Sequence, residues 1–109
     1  MTAPARCLLA AFLLAVPAAP PAVAQDPAAF AAEKCSRYRQ ATADALRRWG
    51  REGLSAEFLT AHAAFIDGGC QGPPSICPRP GRETDFANAM TVRAMNAGMA
   101  STFLPWACR

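Results

Sequence analysis

The fold of this 109-residue chain is decided by residues 28–49, which read AAFAAEKCSRYRQATADALRRW and repeat small or apolar side chains at alternating spacings of four and three. That spacing lines one face of a helix and is typical of a helical bundle. The seam consists of Ala31, Cys35, Tyr38, Thr42, Ala45 and Trp49. We predict a first helix from about Ala28 to Trp49, because Pro27 precedes the stretch and Gly50 follows it.

A second helix is predicted to begin after Ser55, whose short hydroxyl side chain is typical of an N-cap. Leu54 and Leu59 flank it as a hydrophobic staple, and Glu57 lies in the first turn. Residues 67–69, with the sequence DGG, end the helix. The apolar stripe consists of Phe58, Leu59, His62, Phe65 and Ile66.

A loop rich in proline and glycine, Cys70 to Glu83, separates the second helix from a third. Thr84 or Asp85 is the predicted cap of the third helix, which we expect to run to about Ala100. One of its apolar stripes consists of Phe86, Met90, Ala94 and Ala97, and the other of Val92, Met95 and Met99. Because two sides are apolar, we expect this helix to lie centrally and to contact both others.

The remaining composition favours an all-α fold without a sheet. Large β-branched residues are nearly absent after residue 24, and no hairpin dipeptide lies between alternating runs. The 85 residues that follow Ala24 hold only 18 large apolar side chains, so a core of this size needs covalent support. The sequence predicts a small three-helix bundle stapled by two disulfides, with an irregular C-terminal tail from Ser101.

Residues 1–24 have the organisation of a secretory signal peptide. Arg6 precedes a ten-residue apolar run, Cys7 to Val16, and small residues stand before Gln25. Ten helical residues span about 15 Å, half the thickness of a bilayer core, so a membrane anchor is disfavoured. We predict cleavage after Ala24 and a single exported domain, residues 25–109, without stable membrane insertion. The usage of Ala and Arg favours a bacterial origin, with a periplasmic or secreted location.

The four cysteines after residue 24 are expected to form two disulfides, as is usual in exported domains. Cys35 and Cys70 stand 17 and 18 residues from the centre of the first turn, near Glu52, and therefore at the same height in a helical hairpin. This geometry favours Cys35–Cys70, which leaves Cys77–Cys108. The rival pairing is Cys35–Cys77 with Cys70–Cys108.

Charge and motifs favour a binding module over an enzyme. The 10 basic and 8 acidic side chains after residue 24 give a net charge of +2, too small to indicate nucleic acid as a partner. Five arginines between residues 37 and 51 are interpreted as a solvated helix face, with an anion- or partner-binding patch as the alternative. No catalytic motif is present and no cofactor is expected, so we predict a protein partner in the same compartment.

Two candidate sites remain. The thioether and imidazole side chains of His62, Met95 and Met99 are of the type that binds Cu(I), which makes a copper or small apolar ligand carrier the alternative function. Trp49, Phe103 and Trp106 are candidates for an apolar ligand groove, unless the tail packs over the bundle and completes the core. For His62 itself, a core position with one hydrogen bond is the competing interpretation.

Overall fold

The computed structural model describes residues 2–4, 11–19, 26–98 and 104–109. Within them the chain forms three helices, α1 (Pro27–Trp49), α2 (Ala56–Asp67) and α3 (Arg82–Asn96). No strand occurs in these ranges, where one isolated parallel bridge joins Ile76 to Trp106. The predicted three-helix fold is therefore confirmed.

Half of the predicted signal peptide, including the predicted cleavage point after Ala24, lies outside the described ranges, and the signal peptide stays a prediction. Among the residues with a described structure, no helix has the length and the apolar character needed to cross a membrane.

The starts of α1 and α2 are fixed by side chains that cap them. The Asp26 carboxylate accepts a hydrogen bond from the Ala28 N–H at 3.1 Å, and Ser55 Oγ accepts one from the Phe58 N–H at 3.1 Å. Leu54, the first residue of the predicted staple, is buried. These contacts satisfy backbone donors that have no partner inside a helix, so both predicted starts are confirmed to within one residue.

The disulfides join the segments that the helix geometry favours. Cys35 and Cys70 are bonded with their Cα atoms 5.4 Å apart, and both residues are buried. Cys77 and Cys108 are bonded with their Cα atoms 4.6 Å apart, and both residues are exposed. The predicted pairing is confirmed and the rival pairing is wrong.

The core lies against α1, which packs on both other helices. Its largest fully buried side chains are Tyr38 of α1 and Met90 of α3. Val92 and Met95 of α3 are instead 58% and 60% exposed. The second predicted stripe of α3 is therefore not buried. The expectation that α3 contacts both other helices is confirmed, because α3 packs on α1 and its Phe86 ring meets Phe58 and His62 of α2.

The N-cap of α3 is Gly81, three to four residues before the predicted cap, because long side chains anchor the start of the helix to the rest of the fold. The buried Glu83 carboxylate accepts hydrogen bonds from the Ser55 N–H at 2.9 Å and the Arg79 N–H at 3.1 Å. Burial alone would raise the pKa of Glu83, but these hydrogen bonds outweigh it and lower the pKa. Arg82 donates to the carbonyl oxygens of Trp49 and Glu52, at 3.0 and 3.1 Å.

The C-terminus of α3 also differs from the prediction. The helix ends at Asn96 rather than near Ala100, and Ala97 is its C-cap. Gly98 follows with φ +79°, a left-handed backbone conformation that favours glycine and stops the helix.

Candidate functional site

His62 of α2 and Tyr38 of α1 form a buried hydrogen-bonded pair. The Tyr38 hydroxyl oxygen lies 2.7 Å from His62 Nε2, and the residues are 0% and 2% exposed. Burial lowers the pKa of His62 to about 4 and raises the pKa of Tyr38 far above its usual value. Both side chains are therefore neutral near neutral pH. This agrees with the interpretation of His62 as a core residue with one hydrogen bond.

Aromatic rings pack around His62. Trp106 stacks on it with ring centroids 5.2 Å apart, and Phe86 meets it edge-on at 5.6 Å. Trp106 also stacks on Phe58 at 5.7 Å, with an angle of 7° between the ring planes. Its indole Nε1 is buried without a hydrogen-bond partner among the described residues. We call Tyr38, Phe58, His62, Phe86 and Trp106 the aromatic cluster.

Backbone hydrogen bonds hold the C-terminal tail, which carries Trp106, against the other residues of this cluster. The Ser75 and Ile76 N–H groups donate to the Pro105 carbonyl oxygen at 3.0 and 2.9 Å, and the Ala107 N–H donates to the Ile76 carbonyl oxygen at 2.9 Å. The Cys77–Cys108 disulfide closes the same segment. The tail therefore packs against the core, as one of the two interpretations of Trp106 requires.

Two of the three residues of the predicted ligand groove, Trp49 and Trp106, do not line a common hollow. Trp49 is 44% exposed and borders a hollow lined by Arg82, Asp85, Phe86 and Ala89, with the Arg93 guanidinium 5.1 Å from the centre of its ring. Trp106 is not among the residues that line this hollow. Phe103 lies outside the described residues.

The three predicted copper ligands are not seen together either. His62 is enclosed in the aromatic cluster, with Nε2 hydrogen-bonded to Tyr38. Met95 lies on α3 and is 60% exposed, and Met99 lies outside the described residues. In the ranges with a described structure, no three His, Cys, Asp or Glu side chains are grouped to hold a metal ion. The copper site stays a prediction.

An open groove of about 240 Å³ lies between α1 and α2, and we call it the α1–α2 groove. Its apolar lining comes from Ala43, Leu46, Leu59, Ala63 and Ile66. Thr42 and His62 also line the groove. Ala43 and Ala63 are exposed, so their methyl groups are accessible to a binding partner.

Three charged residues line the same groove. Arg39 Nη1 donates to Asp67 at 3.0 Å, and Arg39 Nη2 donates to the Ile66 carbonyl oxygen at 3.4 Å. The guanidinium group of Arg51, just beyond α1, has neither a hydrogen bond nor an ion pair within the described part of the chain. The groove therefore combines an apolar floor with a positively charged rim, in which the single acidic side chain is already paired.

The side chains that line the α1–α2 groove are of types that serve binding. Proton transfer by His62 would require contact with a substrate, and this residue is only 2% exposed. The groove offers apolar surface and guanidinium donors, which recognise apolar side chains and carboxylates.

Comparison with protein-family models, with curated proteins and with solved structures gives no match in any of the three.

Sequence reasoning did not find this groove. The sequence predicts Leu59 as part of the buried stripe of α2 and Arg51 as one member of an arginine cluster. The available signal was the pair of alanines, Ala43 and Ala63, which leave space where two helices meet. Their position relative to one another depends on how α1 and α2 cross, which the spacing of residues along one helix does not specify.

Proposed function

We propose that this chain is an exported, non-catalytic binding module, and that it holds a protein partner by receiving an apolar side chain of that partner in the α1–α2 groove. The observation that carries the proposal is the groove itself, which is open, apolar at its floor and bordered by charged residues. Interfaces of this kind take most of their affinity from a few anchor side chains that enter such pockets.

The size of the groove favours a protein partner over a small ligand. Sites for small molecules have volumes of about 300–1,000 Å³ and enclose most of the ligand. The α1–α2 groove measures about 240 Å³ and is open along one side. It suits one or two side chains of a larger partner, whose remaining contacts form on the surrounding surface.

The walls of the groove are held in place before any partner binds. The Cys35–Cys70 disulfide cross-links α1 to the segment that follows α2, and the Tyr38–His62 hydrogen bond joins the two helices near their middle. A preorganised site loses little conformational entropy on binding, so a small contact area suffices for useful affinity. The two disulfides and the signal-like segment support the exported location of the module.

The test is photo-crosslinking in the producing cell. A benzophenone amino acid at Ala63, in the groove, is expected to give a discrete cross-linked protein. The same amino acid at Ala64 is the matched control, because Ala64 is also exposed on α2 but does not line the groove.

The cross-link from position 63 should disappear when Ala43→Gln narrows the groove from the opposite wall. Equal adducts from positions 63 and 64, or an adduct that persists in the Ala43→Gln protein, would show that the groove is not the binding site. Circular dichroism melts of each variant establish that the fold is retained, since Ala43, Ala63 and Ala64 are all exposed.

A further inference from the structure

We infer that the occupant of the α1–α2 groove is an acidic amphipathic helix of the partner protein. This inference rests on the proposed function, since it specifies the chemistry of the partner at the same groove. Three features of the groove carry it: its shape, the charges along its rim and the positions of those charges.

The shape of the groove fits a helix. Two helices form its walls, and apolar side chains of an added helix at spacings of three and four would enter between them. The described ranges contain only the isolated Ile76–Trp106 bridge and no strand edge to which an extended peptide could be added. The eleven residues of α1 from Arg39 to Trp49 extend about 16 Å, which corresponds to about three turns of a partner helix.

The charge along the rim favours an acidic partner. Arg51 has no ion-pair partner in the described chain, and Arg39 uses only two of its guanidinium donors, on Asp67 and on the Ile66 carbonyl. The carboxylate of Asp67 is already engaged at 3.0 Å. A partner with lysine or arginine at the rim would therefore meet like charge, whereas aspartate or glutamate would form new ion pairs.

The surface next to the groove is also positively charged. Ala43 separates the groove from a shallow hollow on the outer side of α1, which Arg37 and Arg47 border. The acidic residue in that hollow, Asp44, has ion pairs with Arg47, Arg48 and Arg93 at 2.9, 3.5 and 3.3 Å. A helix in the groove would therefore meet two carboxylates, of Asp44 and Asp67, that already have ion pairs, and the guanidinium group of Arg51, which has none among the described residues.

The positions of the charges predict a pattern in the partner. Leu46, Leu59 and Ala63 contact its apolar anchor residues, and Arg51 lies at the end of the groove next to the α1–α2 turn. The partner helix should carry leucine, phenylalanine or methionine at its centre and an acidic residue towards the Arg51 end.

The experiment uses a displayed library of helical peptides about eleven residues long, which is the three turns estimated for the groove. A central leucine or phenylalanine is fixed, and the flanking exposed positions are randomised. The library is selected on the full oxidised chain and counter-selected on the Ala63→Gln variant, so that only groove-dependent peptides are kept. We expect the kept peptides to be enriched in aspartate and glutamate near one end.

Two charge-reversal variants then test the role of the rim. Arg51→Glu is expected to weaken the selected peptides about fivefold, the change associated with an exposed ion pair. Arg109→Glu is the matched control, because it changes the net charge equally at a residue that does not line the groove. Added salt should reduce the difference between the two variants.

The outcomes separate the two proposals. Groove-dependent peptides with neutral or basic flanks, or equal binding to Arg51→Glu and Arg109→Glu, would overturn the acidic helix and leave the proposed function standing. A selection that returns no peptide sensitive to Ala63→Gln would overturn both.

Discussion

The two disulfides close loops of similar length in very different surroundings. Cys35–Cys70 spans 35 residues and is buried, whereas Cys77–Cys108 spans 31 residues and is exposed. By lowering the conformational entropy of the unfolded chain, a cross-link that closes a loop of this size stabilises the folded state by about 4 kcal/mol in both cases. The two disulfides therefore differ in which parts of the folded protein they keep together, and not in the length of the loop they close.

The Cys35–Cys70 bond is part of the framework, by which we mean α1, α2 and the core between them. The Cys77–Cys108 bond attaches the C-terminal tail to that framework. Cys35–Cys70 lies in the core and keeps α1 beside α2, so the α1–α2 groove depends on it. Cys77–Cys108 joins two irregular segments and keeps Trp106 within the aromatic cluster, stacked on His62. Loss of the first bond should affect the whole fold, whereas loss of the second should affect mainly the tail.

The largest effect is expected when the framework bond is removed. Cys35→Ala with Cys70→Ala should lower the free energy of unfolding by about 4 kcal/mol, which is close to the whole stability of a domain this small. Thermal melts followed by circular dichroism should lose their cooperative transition. A melt that superimposes on that of the wild-type protein would show that the core is stable without this bond.

The sequence predicted the regular part of the molecule well. The seam of α1, the Ser55 cap and the equal heights of Cys35 and Cys70 all follow from helix geometry, in which each position is fixed by local spacing. The boundaries of α3 were less accurate, because they depend on contacts between distant residues. Glu83 binds the N–H of Ser55, 28 residues away, and no local pattern reports such a contact.

The site was predictable only in part. A buried, hydrogen-bonded His62 follows from its place on an apolar face, but its partner Tyr38 depends on the crossing of α1 and α2. The second stripe of α3 does not pack against another element, since Val92 and Met95 are exposed. Periodicity shows that a helix has an apolar face, and it does not show which neighbour, if any, covers that face.

The next effect comes from His62, which lies where the framework and the tail meet. Its pKa is lowered from 6.5 to about 4 in the folded protein, so between these pH values the unfolded chain binds a proton that the folded chain does not. Stability is therefore complete above pH 6.5 and falls as the pH decreases towards 4. The loss should reach at most about 3 kcal/mol, measured by urea unfolding across this range.

The control for this pH dependence is His62→Gln, in which the slope of stability between pH 6.5 and 4 should flatten. Asp44 contributes at lower pH, because its hydrogen bond to Arg47 lowers the pKa of its carboxyl group. A His62 ring that NMR shows to be protonated in the folded protein at pH 5.5 would contradict the assignment.

The smallest of these effects is expected when the tail bond is removed. Cys77→Ala with Cys108→Ala should lower the free energy of unfolding by about 2 kcal/mol, because the loss cannot exceed the free energy with which Leu104 and Trp106 dock. In a Trp49→Phe background, indole fluorescence should report the release of Trp106 while the circular dichroism of the helices stays unchanged. If this variant loses as much stability as the Cys35→Ala, Cys70→Ala protein, the tail is part of the framework and the distinction between the two regions is wrong.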